Sequence, residues 1–176
     1  MSLRFFIPKS NFDQFESAVC INPRSFRINL IDGQLDVMPV AIGTAQRERR
    51  IITRAGNWCD ANPNLVGISI SSQGCFTLPN GDIMGPDFGV VLTARWNALT
   101  QAQQDQAFPH VAPNFVIELR LQTDSPQYVH NKMLRWINGG VEEGWSIDRF
   151  VNPPEVSFNE KYKMIMLGFH PIGRNE

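Results

Sequence analysis

The chain has 176 residues, a length that predicts one domain spanning residues 1–176. Hydrophobic residues make up 43% of the chain and charged residues 19%, which excludes a disordered polypeptide and predicts a substantial core. The formal charge of −1 excludes bulk positive charge as a basis for nucleic-acid binding, so any such binding must depend on a local surface.

The apolar runs are short and the N-terminal segment lacks a small-residue cleavage site, which predicts a soluble protein that is not exported. The three cysteines, Cys20, Cys59 and Cys75, are an odd number without metal-ligand spacing. We therefore expect them to be buried and reduced in a cytoplasmic protein.

Two β-hairpins are predicted in the first half of the chain, over residues 26–38 and 76–84. In each hairpin, short apolar and polar segments lie on both sides of a dipeptide that favours the positive φ angles of a two-residue turn. The turn dipeptides are Asp32-Gly33 and Asn80-Gly81.

Two principal helices are predicted from periodic apolar positions and capping residues. The first is capped by Thr44 and runs to about Asp60. The second follows Asp124 or Ser125 as its N-cap and ends at the glycine pair 139–140.

Strands account for most of the remaining apolar segments. Alternating or continuous apolar patterns predict strands over residues 86–92 and 115–121, with a polar surface helix over 98–107 between them. The last segments predict a closing β-meander. They are residues 145–148, 155–158 and 164–169. The whole pattern is that of an α+β protein in which strands flank two helices.

Four charged residues form the most informative constellation: Asp87, Glu118, Arg120 and Lys132. Asp87 begins an apolar strand and Glu118 lies among apolar residues, so each carboxylate must be paired, hydrogen-bonded or metal-bound. A hard cation such as Mg²⁺ relieves the repulsion between converging carboxylates, and a nearby lysine orients water or neutralises charge on a phosphate. Spacing alone leaves an alternative open, in which Glu118 forms an ordinary ion pair with Arg120 or Lys132 and Asp87 only ends a turn.

Six segments of the chain, taken in order, are informative together. They are Leu30-Ile31-Asp32-Gly33 and residues 74–87, 95–100, 113–120, 132–133 and 144–148. These segments closely resemble the Uma-type family of putative restriction endonucleases, within the PD-(D/E)XK nuclease superfamily. The resemblance extends from about Phe26 to Phe169.

The resemblance implies a restriction-endonuclease-like core, in which a mixed β-sheet is flanked by helices, with N-terminal β-hairpins. It implies an endonuclease that hydrolyses DNA phosphodiester bonds, in which Asp87 and Glu118 hold Mg²⁺ or Mn²⁺. Lys132 would assist the attacking water and Arg120 would support the phosphate. We assign the superfamily's lysine to Lys132 rather than Arg120 because an ammonium is the compact point charge that this role needs. A homodimer is also expected.

The chain departs from the family pattern at three places. Asn29 stands where members usually have a glutamate, which removes a negative ligand and lowers the expected metal affinity. Residues 121–123 replace a turn that is usual in the family, and Asn114 replaces a frequent aspartate outside the expected metal site. The alternative function is therefore a catalytically weakened member that binds DNA or protein.

An arginine-rich helix face offers possible contacts to a nucleic-acid backbone. Its members are Arg47, Arg49, Arg50 and Arg54. Glu48 interrupts the series, and the net charge of the chain is near zero, so a solvated surface is the simpler interpretation.

Overall fold

The computed structural model describes residues 4–22, 26–40, 42–148, 150 and 155–158, and the side chains of these residues except 42–45, 47 and 155–158. Within these ranges the chain forms strands and helices in the following order. They are β1 (Phe5–Pro8), α1 (Phe12–Ile21), β2 (Phe26–Ile31), β3 (Gln34–Pro39), α2 (Ile42–Ala61), β4 (Val66–Ser71), β5 (Phe76–Thr77), β6 (Ile83–Met84), β7 (Phe88–Leu92), α3 (Thr93–Trp96), α4 (Gln101–Gln104), β8 (Phe115–Leu119), α5 (Pro126–Asn138), β9 (Glu143–Asp148) and β10 (Glu155–Phe158).

The strands form two five-stranded sheets. The first has the order β1-β3-β2-β6-β5, and all its neighbouring strands are antiparallel. The second has the order β10-β9-β8-β7-β4 and is mixed, because β8 and β9 are parallel and α5 forms the crossover between them. The predicted α+β class, with a mixed sheet flanked by helices, is confirmed.

The second sheet lies between two apolar clusters. On one side, Ile51 and Ala55 of α2 pack against alternate residues of the strands, including Phe115 and Ile117 of β8. On the other side, Met133 and Trp136 of α5 belong to a cluster that includes Val116. A third cluster joins α1 to the first sheet. Helix α5 therefore packs on the face of β8 and β9 to which Glu118 belongs.

Most of the predicted elements are present with shifted ends. Helix α2 begins at Ile42 rather than at Thr44 and ends at Ala61. Ser125 is the N-cap of α5 and accepts a hydrogen bond from the backbone N–H of Tyr128 at 3.1 Å. The closing segment 155–158 forms β10 against β9, whereas residues 164–169 lie outside the described residues.

The two hairpin turns differ. Asp32 and Gly33 both have positive φ angles, 51° and 67°, as predicted for a two-residue turn. In the second hairpin only Gly81 has a positive φ, and the backbone N–H of Leu78 donates to the carbonyl oxygen of Asp82 at 2.8 Å. The prediction of a two-residue turn is wrong there, because Pro79 begins a longer loop.

The cysteines are free thiols, as expected. Cys59 is buried and Cys75 is partly buried, but Cys20 is exposed, so the expected burial is wrong for Cys20. It lies on α1, whose one buried residue is Phe15. No described helix is both long and apolar enough to cross a bilayer.

Candidate metal centre

Asp87 lies where the two sheets meet. It follows β6 of the first sheet and immediately precedes β7 of the second. Its backbone N–H donates to the carbonyl oxygen of Ile117 at 3.1 Å, and its Oδ2 accepts a hydrogen bond from the backbone N–H of Leu119 at 2.5 Å. Strand β8 therefore holds this carboxylate, which is 3% exposed, against the segment that contains Glu118.

Glu118 lies under helix α5 and is bound by two side chains of that helix. Its Oε1 accepts a hydrogen bond from Nε1 of Trp136 at 2.7 Å. Nζ of Lys132 is 2.7 Å from Oε1 and 2.8 Å from Oε2. Residues four positions apart lie on the same face of a helix, so both donors reach one carboxylate.

Asp87 is close enough for its charge to affect the ionisation of Glu118. Burial raises the pKa of Glu118, the charge of Lys132 lowers it, and the charge of Asp87 raises it again, with a net increase. The structure therefore brings together Asp87, Glu118 and Lys132, three of the four residues of the predicted constellation. The ion pair with Lys132 is also the contact that the alternative interpretation of Glu118 requires.

Gly85 connects several of these groups through its backbone. Its carbonyl oxygen accepts a hydrogen bond from Nζ of Lys132 at 3.1 Å, and its N–H donates to Oδ1 of Asn29 at 2.9 Å. A Cβ atom at this position would lie 2.8 Å from the carbonyl oxygen of Gly74. Glycine is therefore needed for the close approach of the two backbone segments.

Sequence analysis did not identify Arg27 as part of this centre and misjudged Glu48. Arg27 of β2 donates through Nη1 to Oδ1 of Asp87, and its Nη2 lies 2.5 Å from Oε2 of Glu48. Glu48 of α2 is 4% exposed, so it does not interrupt the arginine-rich surface as proposed from the sequence. Burial and the charge of Asp87 raise the pKa of Glu48 above its ordinary value.

Arg120 lies apart from this group. Its Nε is 2.6 Å from Oδ2 of Asp148, its Nη1 donates to the carbonyl oxygen of Asp124 at 2.6 Å, and its guanidinium lies 5.0 Å from the ring centre of Phe150. These contacts hold Arg120 against the end of β9. Lys132, rather than Arg120, is the cation beside Glu118.

The arginines of α2 lie partly within the described side chains. Arg49, Arg50 and Arg54 are exposed, whereas the side chain of Arg47 lies outside the described residues. Exposure is compatible both with solvation and with contacts to a phosphate backbone.

The carboxylate oxygens of this centre are ligands of the kind that a hard divalent cation prefers. Asp87, Glu118 and Glu48 present carboxylate oxygens, and Oε1 of Glu48 is buried without a hydrogen-bond partner among the described residues. The described part of the chain contains no ready-made group of three metal ligands. Arg27 lies against Asp87, and Lys132 lies against Glu118. A cation must therefore compete with internal ion pairs.

An open groove of 770 Å³ lies beside this centre. Residues from β2 and from the segments around β5 line it, and they include Arg27, Asn29, Ser72, Cys75 and Gly85. The groove gives the candidate centre access to solvent on the side of Arg27.

Comparison with known proteins gives the family and the fold of this chain. Residues 12–161 match the Uma2 family, described as putative restriction endonuclease. The chain belongs to the Uma2 family. Among solved structures, this Uma2 chain is similar to the crystal structure of a putative nuclease belonging to DUF820 from Anabaena variabilis, with 16% identity and a TM-score of 0.58 over 74% of this chain and 75% of that chain. That similarity confirms a nuclease-like fold. No curated protein matches the Uma2 chain significantly.

Proposed function

We propose that this Uma2 protein is a divalent-metal-dependent endonuclease that hydrolyses DNA phosphodiester bonds. The observation on which the proposal depends is the side-by-side burial of Asp87 and Glu118, with Nζ of Lys132 in contact with Glu118. Membership of the family and the nuclease-like fold support hydrolysis of nucleic acid. The oxygen-only ligands favour Mg²⁺ or Mn²⁺ over softer metals.

Each residue of the centre has a distinct role in this proposal. Asp87 and Glu118 would hold the cation, and Glu48, which Arg27 joins to Asp87, is a further carboxylate of the centre. When bound, the cation stabilises negative charge on the phosphate and lowers the pKa of bound water. Lys132, held by Glu118 and by the carbonyl oxygen of Gly85, would orient the attacking water and offset charge that develops on the phosphate.

Arginine side chains outside the centre would bind the nucleic acid. Arg120 would support the phosphate from the end of β8, and Arg47, Arg50 and Arg54 of α2 would contact the DNA backbone. We further propose a homodimer. Light scattering of the purified protein would then give twice the chain mass of 19.9 kDa, and a single chain mass would contradict the dimer.

A second candidate function is a DNA-binding or protein-binding module with weakened catalysis. Two observations favour it: Asn29 supplies a neutral oxygen that is already bound to the N–H of Gly85, and internal cations lie against the carboxylates. In that case the protein would bind DNA but would not cleave it.

Cleavage of supercoiled plasmid and of single-stranded DNA with Mg²⁺ or Mn²⁺ tests the proposal. The proteins compared are the wild type, Asp87→Asn, Lys132→Met and a control, Asp105→Asn, which makes the same chemical change at an exposed site. We expect cleavage by the wild type and the control only, with losses of at least about 100-fold in the two site variants. Cleavage retained in both site variants would contradict the assignment. DNA binding without cleavage by the wild type would support the second candidate.

A further inference from the structure

Arg27 is the internal cation of Asp87 and Glu48. Its guanidinium bridges the two carboxylates, and its side chain is mostly buried. Within the described ranges, no other cationic side chain forms an ion pair with either carboxylate. The bridge joins β2 of the first sheet to α2 and to the start of β7, so it also connects elements that are distant in sequence.

Arg27 contacts the oxygen of Asp87 to which no backbone N–H of the described residues donates. Oδ2 of Asp87 accepts a hydrogen bond from the backbone N–H of Leu119, which is fixed by the pairing of β8. Oδ1 is the oxygen that Arg27 occupies. A divalent cation that binds Asp87 through Oδ1 therefore meets the guanidinium at close range, and the two positive charges repel each other.

The charges of the centre are balanced only when Arg27 leaves as a cation arrives. Asp87, Glu118 and Glu48 supply three formal negative charges, and Lys132 supplies one positive charge. A divalent cation brings the sum to zero without Arg27 and leaves an excess positive charge with it. Uncompensated buried charge is costly, so binding of the metal disfavours the inward position of Arg27.

The structure also provides space for the displaced side chain. Arg27 lines the open groove of 770 Å³, together with the neutral polar residues Asn22, Ser72 and Gln73. A guanidinium in this groove would be solvated and would meet phosphate oxygens of a bound nucleic acid.

We propose that Arg27 is an internal counter-cation that occupies the ligand oxygen of Asp87 in the metal-free protein and moves into the groove when a divalent cation binds. This inference depends on the proposed function only in that Asp87 is taken to bind the metal. Arg27 thereby lowers the apparent metal affinity, because the binding-competent arrangement is only a fraction of the metal-free protein.

Isothermal titration calorimetry of the full chain with MnCl₂ tests this role. The variant Arg27→Met keeps an apolar stem but removes the competing charge, and we expect its apparent Kd for Mn²⁺ to be at least about tenfold lower than that of the wild type. Arg95→Met is the matched control, because it removes a partly buried ion pair with Glu142 outside the centre. Its Kd should equal that of the wild type.

A melting experiment gives a second measurement. Without metal, Arg27→Met leaves Asp87 and Glu48 unpaired, so its Tm should lie below that of the wild type, and saturating Mn²⁺ should raise it by more than it raises the wild-type Tm. If Arg27→Met does not fold without metal, Arg27→Lys replaces it. Lysine cannot bridge two carboxylates with a planar fork, so we expect tighter Mn²⁺ binding for Arg27→Lys as well.

Equal or weaker Mn²⁺ binding by the folded Arg27 variants would overturn the proposal, and so would the absence of Mn²⁺ binding in all the proteins. Failure of the proposed nuclease function has a different signature. In that case the variants would bind Mn²⁺ in the expected order while no protein cleaves DNA.

Discussion

Lys132 and Glu118 form a buried ion pair. Removing either partner leaves the other as an unpaired buried charge, which lowers the free energy of unfolding. Lys132→Met leaves the Glu118 carboxylate with the N–H of Trp136 and no cation, so we expect a loss of about 3–5 kcal/mol in the free energy of unfolding. Urea denaturation at neutral pH measures this loss. The control Lys9→Met, at an exposed position, should change stability by no more than about 0.5 kcal/mol.

A double variant separates the unpaired charge from lost packing. Glu118→Gln combined with Lys132→Met removes both charges, and we expect it to be more stable than Lys132→Met alone. A double variant that is less stable than both single variants would show that the pair does not interact as the structure indicates.

Gly85 offers a prediction based on space rather than charge. Gly85→Ala would push a Cβ against the carbonyl oxygen of Gly74, displacing the backbone that binds Lys132 and Asn29, at a cost of about 1–3 kcal/mol. Thermal unfolding and the plasmid assay should both show a decrease. Gly56→Ala is the control, because a Cβ there meets nothing within 4 Å and alanine favours the helix. Equal effects of the two substitutions would contradict the close packing at Gly85.

The cysteines differ in their expected reactivity. Burial raises the pKa of Cys75 to about 11, although the charges of Lys132 and Arg27 lower it in part. The thiolate is the reactive form and is scarce below the pKa, so iodoacetamide at pH 8 should label the exposed Cys20 and leave Cys75 largely unmodified. Labelling of Cys75 should increase when the pH is raised to 10. Peptide mass mapping measures the modification of both cysteines. Rapid modification of Cys75 at pH 8 would contradict its burial and its raised pKa.

Among the elements, α5 supplies two side chains that bind Glu118, namely Lys132 and Trp136. Its N-cap Ser125 satisfies the N–H of Tyr128, and Ser125→Ala should reduce stability by about 1 kcal/mol. Urea denaturation checks the value. Ser125→Asp retains a capping acceptor and should restore most of the loss. A loss in Ser125→Asp equal to that in Ser125→Ala would contradict the capping role.

The elements that sequence analysis found are those with a local signal. Helix α5 was predicted from its cap and apolar periodicity, and the β2–β3 hairpin from Asp32-Gly33. Strand β1 was missed because its residues are all exposed and show no alternation. Helix α1 was also missed, although Asn11 and Gln14 form a capping box whose spacing is visible in the sequence.

The residues of the candidate centre likewise fall into those that the sequence predicted and those that only the structure revealed. Asp87, Glu118 and Lys132 were predicted as site residues from their charges beside apolar segments and from the family resemblance. The bridge from Arg27 depends on a contact between residues 60 positions apart, and no local pattern indicates it. Glu48 lies within a basic stretch of α2, so its burial is decided by how the helix packs on the sheet rather than by its neighbours in sequence.

For the molecule as a whole, the centre depends on two sheets meeting at one place. The first sheet supplies Arg27 and Asn29, the second supplies Glu118 from β8, and Asp87 lies on the segment that connects them. The ion pairs and backbone hydrogen bonds of these residues therefore join the two sheets. Binding of a divalent cation at Asp87 and Glu118 would replace part of this connection, and above the Kd the stability of the whole protein should rise with the logarithm of the metal concentration.

The position of a bound Mn²⁺ ion tests the central claim most directly. Anomalous diffraction from a crystal grown with MnCl₂ should show a peak bound by the carboxylates of Asp87 and Glu118, with the Arg27 guanidinium moved into the groove. The same experiment on Asp87→Asn should show no peak. A Mn²⁺ peak at another site in the wild type, or none while Arg27 still bridges Asp87 and Glu48, would contradict the account.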